Sequence, residues 1–354
     1  MVDKILLNKV LNRFPAIEDK VEIEPLTGGL INQSFKITDK GGNKFLLQKI
    51  NTGIFKDVDA LMNNIRVVTR HVEKKLQEGN NNPDYRISKF YPCDTGKLYC
   101  RFSSNDYWRL CDYIDNVKPQ NFDSLHIAKE TGRILAMFHV LTNDLDVAKL
   151  KVTLPGFHDL PARKKSLDRI LKNRPSRLKE SEKVYEELKK YDFLSDWYKD
   201  VAGNYNLPLF TVHNDPKVSN ILFNKDGKAL CLIDLDTLMP GYRGFDFGDA
   251  VRSLCNKTHE DDPDPGNAGF DEEKYNVFKN SYLNTAKDIL ANEEMKALEV
   301  FPLFLAYEQA VRFYTDYLQG DKYYHIDTPG QNLTRTQVQL RMLKEMYKSF
   351  SPPV

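Results

Sequence analysis

The sequence contains no long apolar run and almost no excess charge of either sign. No stretch approaches the roughly 18 consecutive apolar residues of a membrane-spanning helix, so we predict no such helix and expect no membrane partner. Lysine and arginine total 51 and aspartate and glutamate total 50, which leaves a formal net charge of +1. A dedicated nucleic-acid-binding protein usually carries a basic excess, so this balance argues against that class of protein.

Cysteine is scarce, and neither cysteine nor histidine follows a metal-binding pattern. The five cysteines are Cys93, Cys100, Cys111, Cys231 and Cys255, and no two have the C-x-x-C spacing. The seven histidines form no H-E-x-x-H or similar zinc motif. The first residues alternate apolar and charged side chains and lack the apolar segment of a signal peptide. Free thiols in a reducing compartment are the simplest interpretation, and we predict a cytoplasmic location.

The order of predicted elements divides the 354 residues into a β-rich part and a helical part. Short apolar segments predict antiparallel strands within 21–50, and a 3.6-residue period predicts a helix at 58–76. Strands are predicted again at 85–91, 97–100 and 107–114. Further helices are predicted at 125–139, 271–290, 295–318 and 334–349. We therefore predict a bilobed α+β fold, with an N-terminal lobe of residues 1–114 and a larger helical lobe of residues 115–354.

The strongest chemical signal lies in two short apolar strands that flank a polar turn, each with a carboxylate at one end. The first strand leads into the spacing H-x-D-x-x-x-x-N, formed by His213, Asp215 and Asn220, and Asp234 follows the second strand. Phosphoryl transfer needs an acceptor-facing carboxylate and hard oxygen ligands for Mg²⁺, which this set supplies. Lys217 is near enough in sequence to neutralise charge on the transferred phosphate. Each residue alone fits an ordinary turn, whereas the whole set favours phosphoryl transfer.

The loop His213–Asn220 resembles the catalytic loop of protein kinases, and more closely that of the aminoglycoside phosphotransferase/choline kinase family. Within that family the chain most resembles the N-acetylhexosamine 1-kinases, through Phe45–Phe55, Ile233–Gly241, Phe245–Arg252 and Arg312–Asp321. The resemblance extends from about residue 28 to the last predicted helix. It implies a bilobed protein-kinase-like fold and an ATP- and Mg²⁺-dependent small-molecule kinase. The implied acceptor is N-acetylglucosamine or N-acetylgalactosamine, phosphorylated at its anomeric hydroxyl.

The resemblance also implies a role for each matching residue. Asp215 is the implied catalytic base, and Asn220 and Asp234 are the implied Mg²⁺ ligands. Asp236 is implied as a further ligand or as a group that supports the ligands. The implied nucleotide contacts are Gly28, Gly29, Gln48, Lys49, Asp112, Tyr113 and Ile114, and the backbone of the last three is implied to face adenine. The implied contacts of the acceptor sugar are Asn32, Arg312 and Tyr323. The segment Asp246–Asp249 resembles the D-x-x-D segment that braces the catalytic loop in this superfamily, so we do not expect it to bind metal.

Three positions depart from the pattern of these kinases. Gln48 and Lys49 both stand near the place of the usual phosphate-binding lysine, and strand alternation puts them on opposite faces. The sequence leaves open which of the two faces the nucleotide. No partner glutamate is evident in the middle of the helix at 58–76. Leu30 stands where the N-acetylhexosamine kinases have a sugar-contacting histidine, which leaves the identity of the sugar open.

Other functions fit parts of the same sequence. A choline, ethanolamine or aminoglycoside kinase would keep the chemistry and change the acceptor, although Arg312 would oppose a cationic acceptor. Asp234–Leu238 superficially resembles the D-x-D-x-T motif of haloacid-dehalogenase phosphatases, without that family's context. An inactive kinase fold used only for binding is disfavoured by the joint presence of Asp215, Asn220, Asp234 and Lys217. We expect ATP and a small molecule as partners, and a monomer or a small homo-oligomer.

Overall fold

The computed structural model of the chain divides into two compact units. The residues that it describes are 4–18, 22–26, 31–79, 85–116, 119, 123–203 and 207–350. Unit 1 comprises residues 1–121, 141–154 and 220–240. Unit 2 comprises residues 122–140, 155–219 and 241–354. Unit 1 therefore contains two later segments in addition to the residues that the sequence assigns to an N-terminal lobe.

Unit 1 is built around an antiparallel sheet with the strand order β1-β2-β3-β6-β4, in which β5 also pairs with β6. The strands are β1 Glu22–Leu26, β2 Gln33–Thr38, β3 Lys44–Lys49, β4 Phe90–Tyr91, β5 Cys100–Ser103 and β6 Asp106–Asp112. The turn between β2 and β3 closes on Asp39, whose carboxylate accepts a hydrogen bond from the Asn43 N–H over 2.8 Å. Gly42 in this turn has φ +80°, a left-handed conformation that glycine adopts without a steric penalty.

Strand alternation gives this sheet two different faces. On one face, Leu47 of β3 and its cross-strand neighbour Leu110 of β6 are buried in an apolar cluster with Trp108. Side chains of helix α1, Lys4–Leu11, complete this cluster. Burial of each such large apolar side chain is worth about 1.5–3 kcal/mol relative to its exposure. The cluster therefore holds α1 on this face of the sheet.

Helix α2, Val58–Glu78, lies on the other face of the sheet. The Asp57 carboxylate caps its first turn by accepting a hydrogen bond from the Ala60 N–H over 2.8 Å. Met62 of α2 contacts Arg109 of β6, with 3.9 Å between the Met62 sulfur and an Arg109 nitrogen. The residue opposite Arg109 in β3 is Gln48, so Gln48 shares this face.

The two later segments of unit 1 are attached to it by specific hydrogen bonds. The segment 220–240 contains a hairpin of β8, Ile221–Phe223, and β9, Ala229–Leu232. The Arg86 N–H donates to the Leu230 carbonyl, with an N···O distance of 2.8 Å. The side-chain amide of Asn64 in α2 donates to the carbonyls of Lys151, over 2.7 Å, and Leu238, over 2.9 Å. One buried asparagine therefore connects α2 to both segments.

Unit 2 contains most of the helices in the described ranges. They are α3 Ser124–Thr142, α4 Leu160–Lys172, α5 Glu182–Lys189, α6 Phe193–Gly203, α7 Arg243–Leu254, α8 Glu272–Ala286, α9 Asn292–Ala297, α10 Val300–Leu318 and α11 Gln331–Phe350. The remaining short strands are β7 Phe210–Val212 and β10 Met239–Gly241. Almost every residue of α10 is buried, and α10 packs against α4, α7 and α11. Gly244 and Gly248 let α7 approach α10 closely, because a Cβ atom at either position would overlap Phe301.

The α+β class and the order of a β-rich region followed by a helical region are as the sequence predicts. One difference concerns the strand predicted at 85–91, which is limited to Phe90 and Tyr91. The preceding Lys89 N–H donates to the Asp112 carboxylate over 2.7 Å, so a side chain replaces the next partner in the ladder. No helix among the described residues is long and apolar enough to cross a membrane.

Candidate active site

The loop that follows β7 in unit 2 is held by one buried carboxylate. Asp246, in the first turn of α7, accepts hydrogen bonds from the backbone N–H groups of His213, over 2.8 Å, and Asn214, over 2.6 Å. The left-handed φ of +65° at Asn214 turns the chain at this point. Asp246 therefore braces the loop as its D-x-x-D context predicts.

Asp246 is itself positioned by a buried histidine. Nε2 of His139 in α3 lies 2.9 Å from the Asp246 carboxylate, and Nδ1 lies 2.8 Å from the hydroxyl oxygen of Tyr282. Burial lowers the pKa of His139 below its ordinary value of 6.5, although Asp246 acts in the opposite direction. A neutral imidazole that donates from Nε2 to Asp246 and accepts the Tyr282 hydroxyl at Nδ1 satisfies all three groups.

Asp215 lies on this braced loop and is paired with Lys217. Its carboxylate is 2.8 Å from the Lys217 ammonium, and the two side chains are 25% and 34% exposed. The backbone N–H of Asp215 donates to Nδ1 of the buried His213 over 3.3 Å. The loop therefore keeps the Asp215 backbone fixed while leaving its carboxylate accessible to solvent.

A cation that the sequence analysis missed lies near Asp215 in the same unit. Arg252 of α7 contacts the Asp249 carboxylate over 2.8 Å and the Glu260 carboxylate over 3.2 Å. Burial opposes its charge, but Asp249, Glu260 and Asp215 together raise the pKa of Arg252 above its ordinary value. Asp249 thus belongs to an ion-pair network with Arg252 and Glu260. The sequence could have indicated this ion pair, because Asp249 and Arg252 are three residues apart on a predictable helix.

In unit 1, Asn220 and Asp234 lie at the two ends of the β8–β9 hairpin. The Asn220 carbonyl accepts a hydrogen bond from the Ile233 N–H over 2.9 Å, which holds the two ends side by side. Asp234 is exposed and has φ +63°, a left-handed conformation that costs a non-glycine residue free energy. Backbone strain of this kind is concentrated at functional sites.

The carboxylate of Asp236 is buried and occupied by protein donors. One oxygen pairs with the Arg109 guanidinium, and the other accepts a hydrogen bond from the Asn32 amide over 2.6 Å. The Asn32 amide oxygen in turn accepts the Asn51 N–H over 3.0 Å. These contacts fit the supporting role that the sequence analysis left open for Asp236. They also commit both polar atoms of the Asn32 side chain, the predicted sugar contact, to contacts within unit 1.

Arg109 is the second functional residue that the sequence analysis missed. Its Nε donates to the Gln48 side chain over 3.0 Å, its Nη1 pairs with Asp236, and Phe90 lies against its guanidinium at 5.7 Å. Burial opposes the positive charge, but the Asp236 carboxylate outweighs it and raises the pKa of Arg109. The sequence could have indicated this residue, because Arg109 is a charged residue in the middle of an otherwise apolar strand and such a residue requires a buried partner.

The structure also separates Gln48 from Lys49. Gln48 shares the face of Arg109 and donates from its amide to the Ser34 hydroxyl over 3.1 Å. Lys49 points to the α1 face, where its ammonium pairs with Asp106 over 2.9 Å and lies 5.7 Å from the Trp108 ring centroid. Of the two side chains, only that of Gln48 points to the face where Arg109 pairs with Asp236.

In the segment predicted to face adenine, two backbone N–H groups donate hydrogen bonds to carbonyls of the protein. The Asp112 N–H donates to the Lys89 carbonyl over 3.0 Å, and the Tyr113 N–H donates to the Lys44 carbonyl over 3.1 Å. Burial raises the pKa of Asp112 above its ordinary value. Adenine contacts by Asp112, Tyr113 and Ile114 stay a prediction. Gly28, Gly29 and Leu30 lie outside the described residues.

The predicted acceptor residues of unit 2, Arg312 and Tyr323, are connected through Tyr324. The Arg312 guanidinium lies 5.6 Å from the Tyr324 ring centroid, and the Tyr323 and Tyr324 rings are edge to face at 4.9 Å. The buried Asp316 carboxylate accepts hydrogen bonds from the N–H groups of Lys322, Tyr323 and Tyr324 over 2.8–3.0 Å. Tyr323 is nevertheless 71% exposed, so a tightly held loop presents a large aromatic ring to solvent.

The described residues contain no cluster of three or more histidine, cysteine, aspartate or glutamate side chains that could hold a metal ion alone. A divalent ion in a kinase site can take an amide oxygen and a carboxylate from the protein and its other ligands from phosphates and water. Asn220 and Asp234 have the donor types for such an ion. A ligand role for Asp236 stays a prediction, and its carboxylate is bonded to Arg109 and Asn32.

Comparison with known proteins places this geometry in context. Residues 22–273 match the model of the phosphotransferase enzyme family, APH. The fold resembles an amicoumacin kinase solved in complex with AMP-PNP, Ca²⁺ and Ami, with a TM-score of 0.65 and 12% identity over 98% of this chain and 94% of that one. It also resembles a choline kinase from Cryptosporidium parvum, with a TM-score of 0.62 and 15% identity over 98% and 97% of the two chains. An ethanolamine kinase from Plasmodium vivax gives a TM-score of 0.56 and 17% identity over 91% and 82%.

Proposed function

Because the chain belongs to the phosphotransferase enzyme family, we propose that this small-molecule kinase transfers the γ-phosphoryl group of ATP to an N-acetylhexosamine. The acceptor atom is the anomeric hydroxyl, and the product is the sugar 1-phosphate. The observation that carries the proposal is the Asp246-braced loop, which fixes the Asp215 backbone and leaves its carboxylate 25% exposed. Phosphoryl transfer depends mainly on positioning and electrostatic stabilisation, which a fixed loop supports.

In the proposed mechanism Asp215 accepts the proton of the anomeric hydroxyl as the oxygen attacks phosphorus. Lys217, which contacts Asp215 over 2.8 Å, neutralises negative charge on the transferred group. Arg252 keeps its positive charge close to Asp215 and adds to the positive charge around the transferred group.

Asn220 and Asp234 would hold a Mg²⁺ ion together with the nucleotide. A bound Mg²⁺ supplies charge neutralisation between the phosphates. The exposed side chain and strained backbone of Asp234 support its assignment as a ligand. Arg109 holds Asp236 two residues further on, so it fixes the short segment that follows Asp234.

The choice of acceptor depends on Arg312 and Tyr323. The Arg312 guanidinium repels a quaternary or primary ammonium group, and the exposed Tyr323 ring can pack on the apolar face of a pyranose. Both properties favour a neutral sugar. An amino-alcohol acceptor is the second candidate, because the similar structures include a choline kinase and an ethanolamine kinase.

The test is ADP release with ATP and Mg²⁺ against a panel of acceptors. The panel contains N-acetylglucosamine, N-acetylgalactosamine, glucose, galactose, choline, ethanolamine and kanamycin, with Asp215→Asn as the inactive control. We expect release only with the N-acetylhexosamines and a product that alkaline phosphatase hydrolyses. Release only with choline, ethanolamine or kanamycin would overturn the sugar assignment and leave the kinase chemistry intact.

A further inference from the structure

Unit 1 contains an open groove of about 600 Å³ between α2 and the segment from Lys89 to Tyr99. Its α2 wall includes Asp59, Arg66, Arg70 and Glu73, which recur every three to seven residues and so lie on one side of the helix. The volume is in the range of small-molecule sites, about 300–1,000 Å³. None of the predicted catalytic or nucleotide-binding residues lines this groove.

The residues that line the groove carry four positive and two negative charges. At one end the Lys97 ammonium pairs with Asp59 over 3.0 Å, and this carboxylate also accepts the Tyr99 hydroxyl. Arg66 donates to a neutral group, the Asn63 amide oxygen, over 2.7 Å. Within the part of the chain that the structure describes, no carboxylate lies within 4 Å of the side-chain nitrogens of Arg66, Arg70 or Lys89. Three cations therefore face two further carboxylates, that of Glu73 on the groove wall and that of Asp112, which interacts with Lys89.

The floor of the groove contacts the buried ion pair of unit 1. Met62 and Phe90 line the groove, and both touch the Arg109 guanidinium, at 3.9 Å from the sulfur and 5.7 Å from the ring centroid. Arg109 in turn holds Asp236. A molecule that shifts Met62 or Phe90 therefore changes the packing behind Arg109, and the effect reaches Asp236 through one side chain.

We propose that this groove binds a small phosphorylated metabolite and that its occupancy changes the affinity of the enzyme for ATP. Two arginines one helical turn apart suit a phosphate group, because guanidinium groups bind phosphate oxygens in a bidentate manner. The regulatory part rests on the proposed function, whereas binding itself does not. Coupling of this kind is reciprocal, so ATP must change the affinity of the groove for the metabolite by the same factor.

The binding test uses glycerol 3-phosphate as the probe and isothermal titration calorimetry as the measurement. Titrations are made with AMP-PNP and Mg²⁺ present, so that the nucleotide site is occupied. The groove variant is Arg66→Gln/Arg70→Gln. The matched control is Arg86→Gln/Arg101→Gln, which removes two exposed arginines of the same unit outside the groove. If the double groove variant does not fold, Lys89→Gln at an exposed position replaces it.

We expect wild type and the control to bind one equivalent of glycerol 3-phosphate, and the groove variant to bind at least tenfold more weakly. Equal binding by the groove variant, or no binding by wild type, would overturn the site. Binding of an oligoglutamate peptide without binding of glycerol 3-phosphate would overturn the ligand class.

The regulatory part is tested by the KM for ATP in the ADP-release assay. Glycerol 3-phosphate should change this KM in wild type and the control and leave it unchanged in the groove variant. An unchanged KM in wild type despite measured binding would overturn the coupling alone. An enzyme that binds the probe but releases no ADP with any acceptor would contradict the proposed function and not the groove.

Discussion

Arg109 and Asp236, 127 residues apart in sequence, form an ion pair in which each side chain is only 2% exposed. The free energy of a buried pair depends on both partners being present, because desolvation of each charge is compensated only by the other. Arg109 also donates to Gln48, and Asp236 also accepts from Asn32. The pair therefore ties β2, β3, β6 and the segment after β9 into one polar network within unit 1.

This network predicts a non-additive pair of substitutions. Arg109→Met leaves Asp236 buried without a counter-charge and should lower the free energy of unfolding by about 3–5 kcal/mol. Asp236→Asn should cost a similar amount, and the double variant should recover much of the sum. Urea unfolding of the four proteins measures the coupling, with Arg101→Gln as an exposed control. Strict additivity would mean that the two side chains do not depend on each other.

Asp215→Asn should separate catalysis from folding. Loss of a general base typically reduces the rate about 10²- to 10⁴-fold, and we expect a fall of that size in kcat. The partly exposed contact with Lys217 is worth little to stability, about 0–1 kcal/mol, so the unfolding midpoint should hardly move. The control is Asp226→Asn in an exposed turn. Near-normal kcat in Asp215→Asn would remove this residue from the role of base.

Acidification should destabilise the protein through His139. Burial lowers the pKa of this histidine below 6.5 in the folded state, so the unfolded chain binds the proton more readily. Its contribution to stability is complete above pH 6.5 and is lost as the pH falls toward the folded pKa. The slope it adds is limited to about 1.4 kcal/mol per pH unit. Urea unfolding between pH 7.5 and 5 should show this slope in wild type and in His126→Gln, an exposed control on the same helix, and a flatter curve in His139→Gln.

The exposure of Tyr323 predicts that a substitution can raise the KM for the acceptor without changing the stability of the protein. Tyr323→Ala removes a ring that is 71% exposed, so folding should be unaffected. Loss of one aromatic contact, about 0.5–1.5 kcal/mol, should raise the KM for the acceptor roughly two- to tenfold.

Asp316→Asn should raise the same KM for a different reason, because an amide accepts fewer of the three backbone N–H groups that hold the loop. Met295→Ala, an exposed substitution elsewhere in unit 2, serves as the control for both variants. A fall in kcat with unchanged KM in Tyr323→Ala would exclude it from acceptor binding.

The sequence predicts features whose determinants are close together in the chain. The spacing of His213, Asp215 and Asn220 is a property of one loop, and the bracing by Asp246 follows from a short neighbouring segment. The α+β order also follows from local periodicity, which distinguishes strands from helices wherever the apolar pattern is regular. Roles for Asp215 and Asn220 stay predictions until variants are measured.

Features set by contacts distant in sequence could not be predicted. Alternation separates Gln48 from Lys49, but only the register of β3 with β6 shows which face each one joins. The importance of Arg109 depends on Asp236, which no local pattern connects to it. The strand expected at 85–91 is short because the Asp112 side chain, and not a neighbouring strand, bonds the Lys89 N–H.

The left-handed backbone of Asp234 has a consequence for directed evolution of this enzyme. Glycine at this position would relieve backbone strain of roughly 1–2 kcal/mol while removing the carboxylate. A library selected for heat resistance alone should therefore enrich Asp234→Gly, and one selected for turnover should eliminate it. Opposite enrichment in the two selections identifies a position at which the native residue lowers stability and supports activity. We expect Asp234 to be such a position.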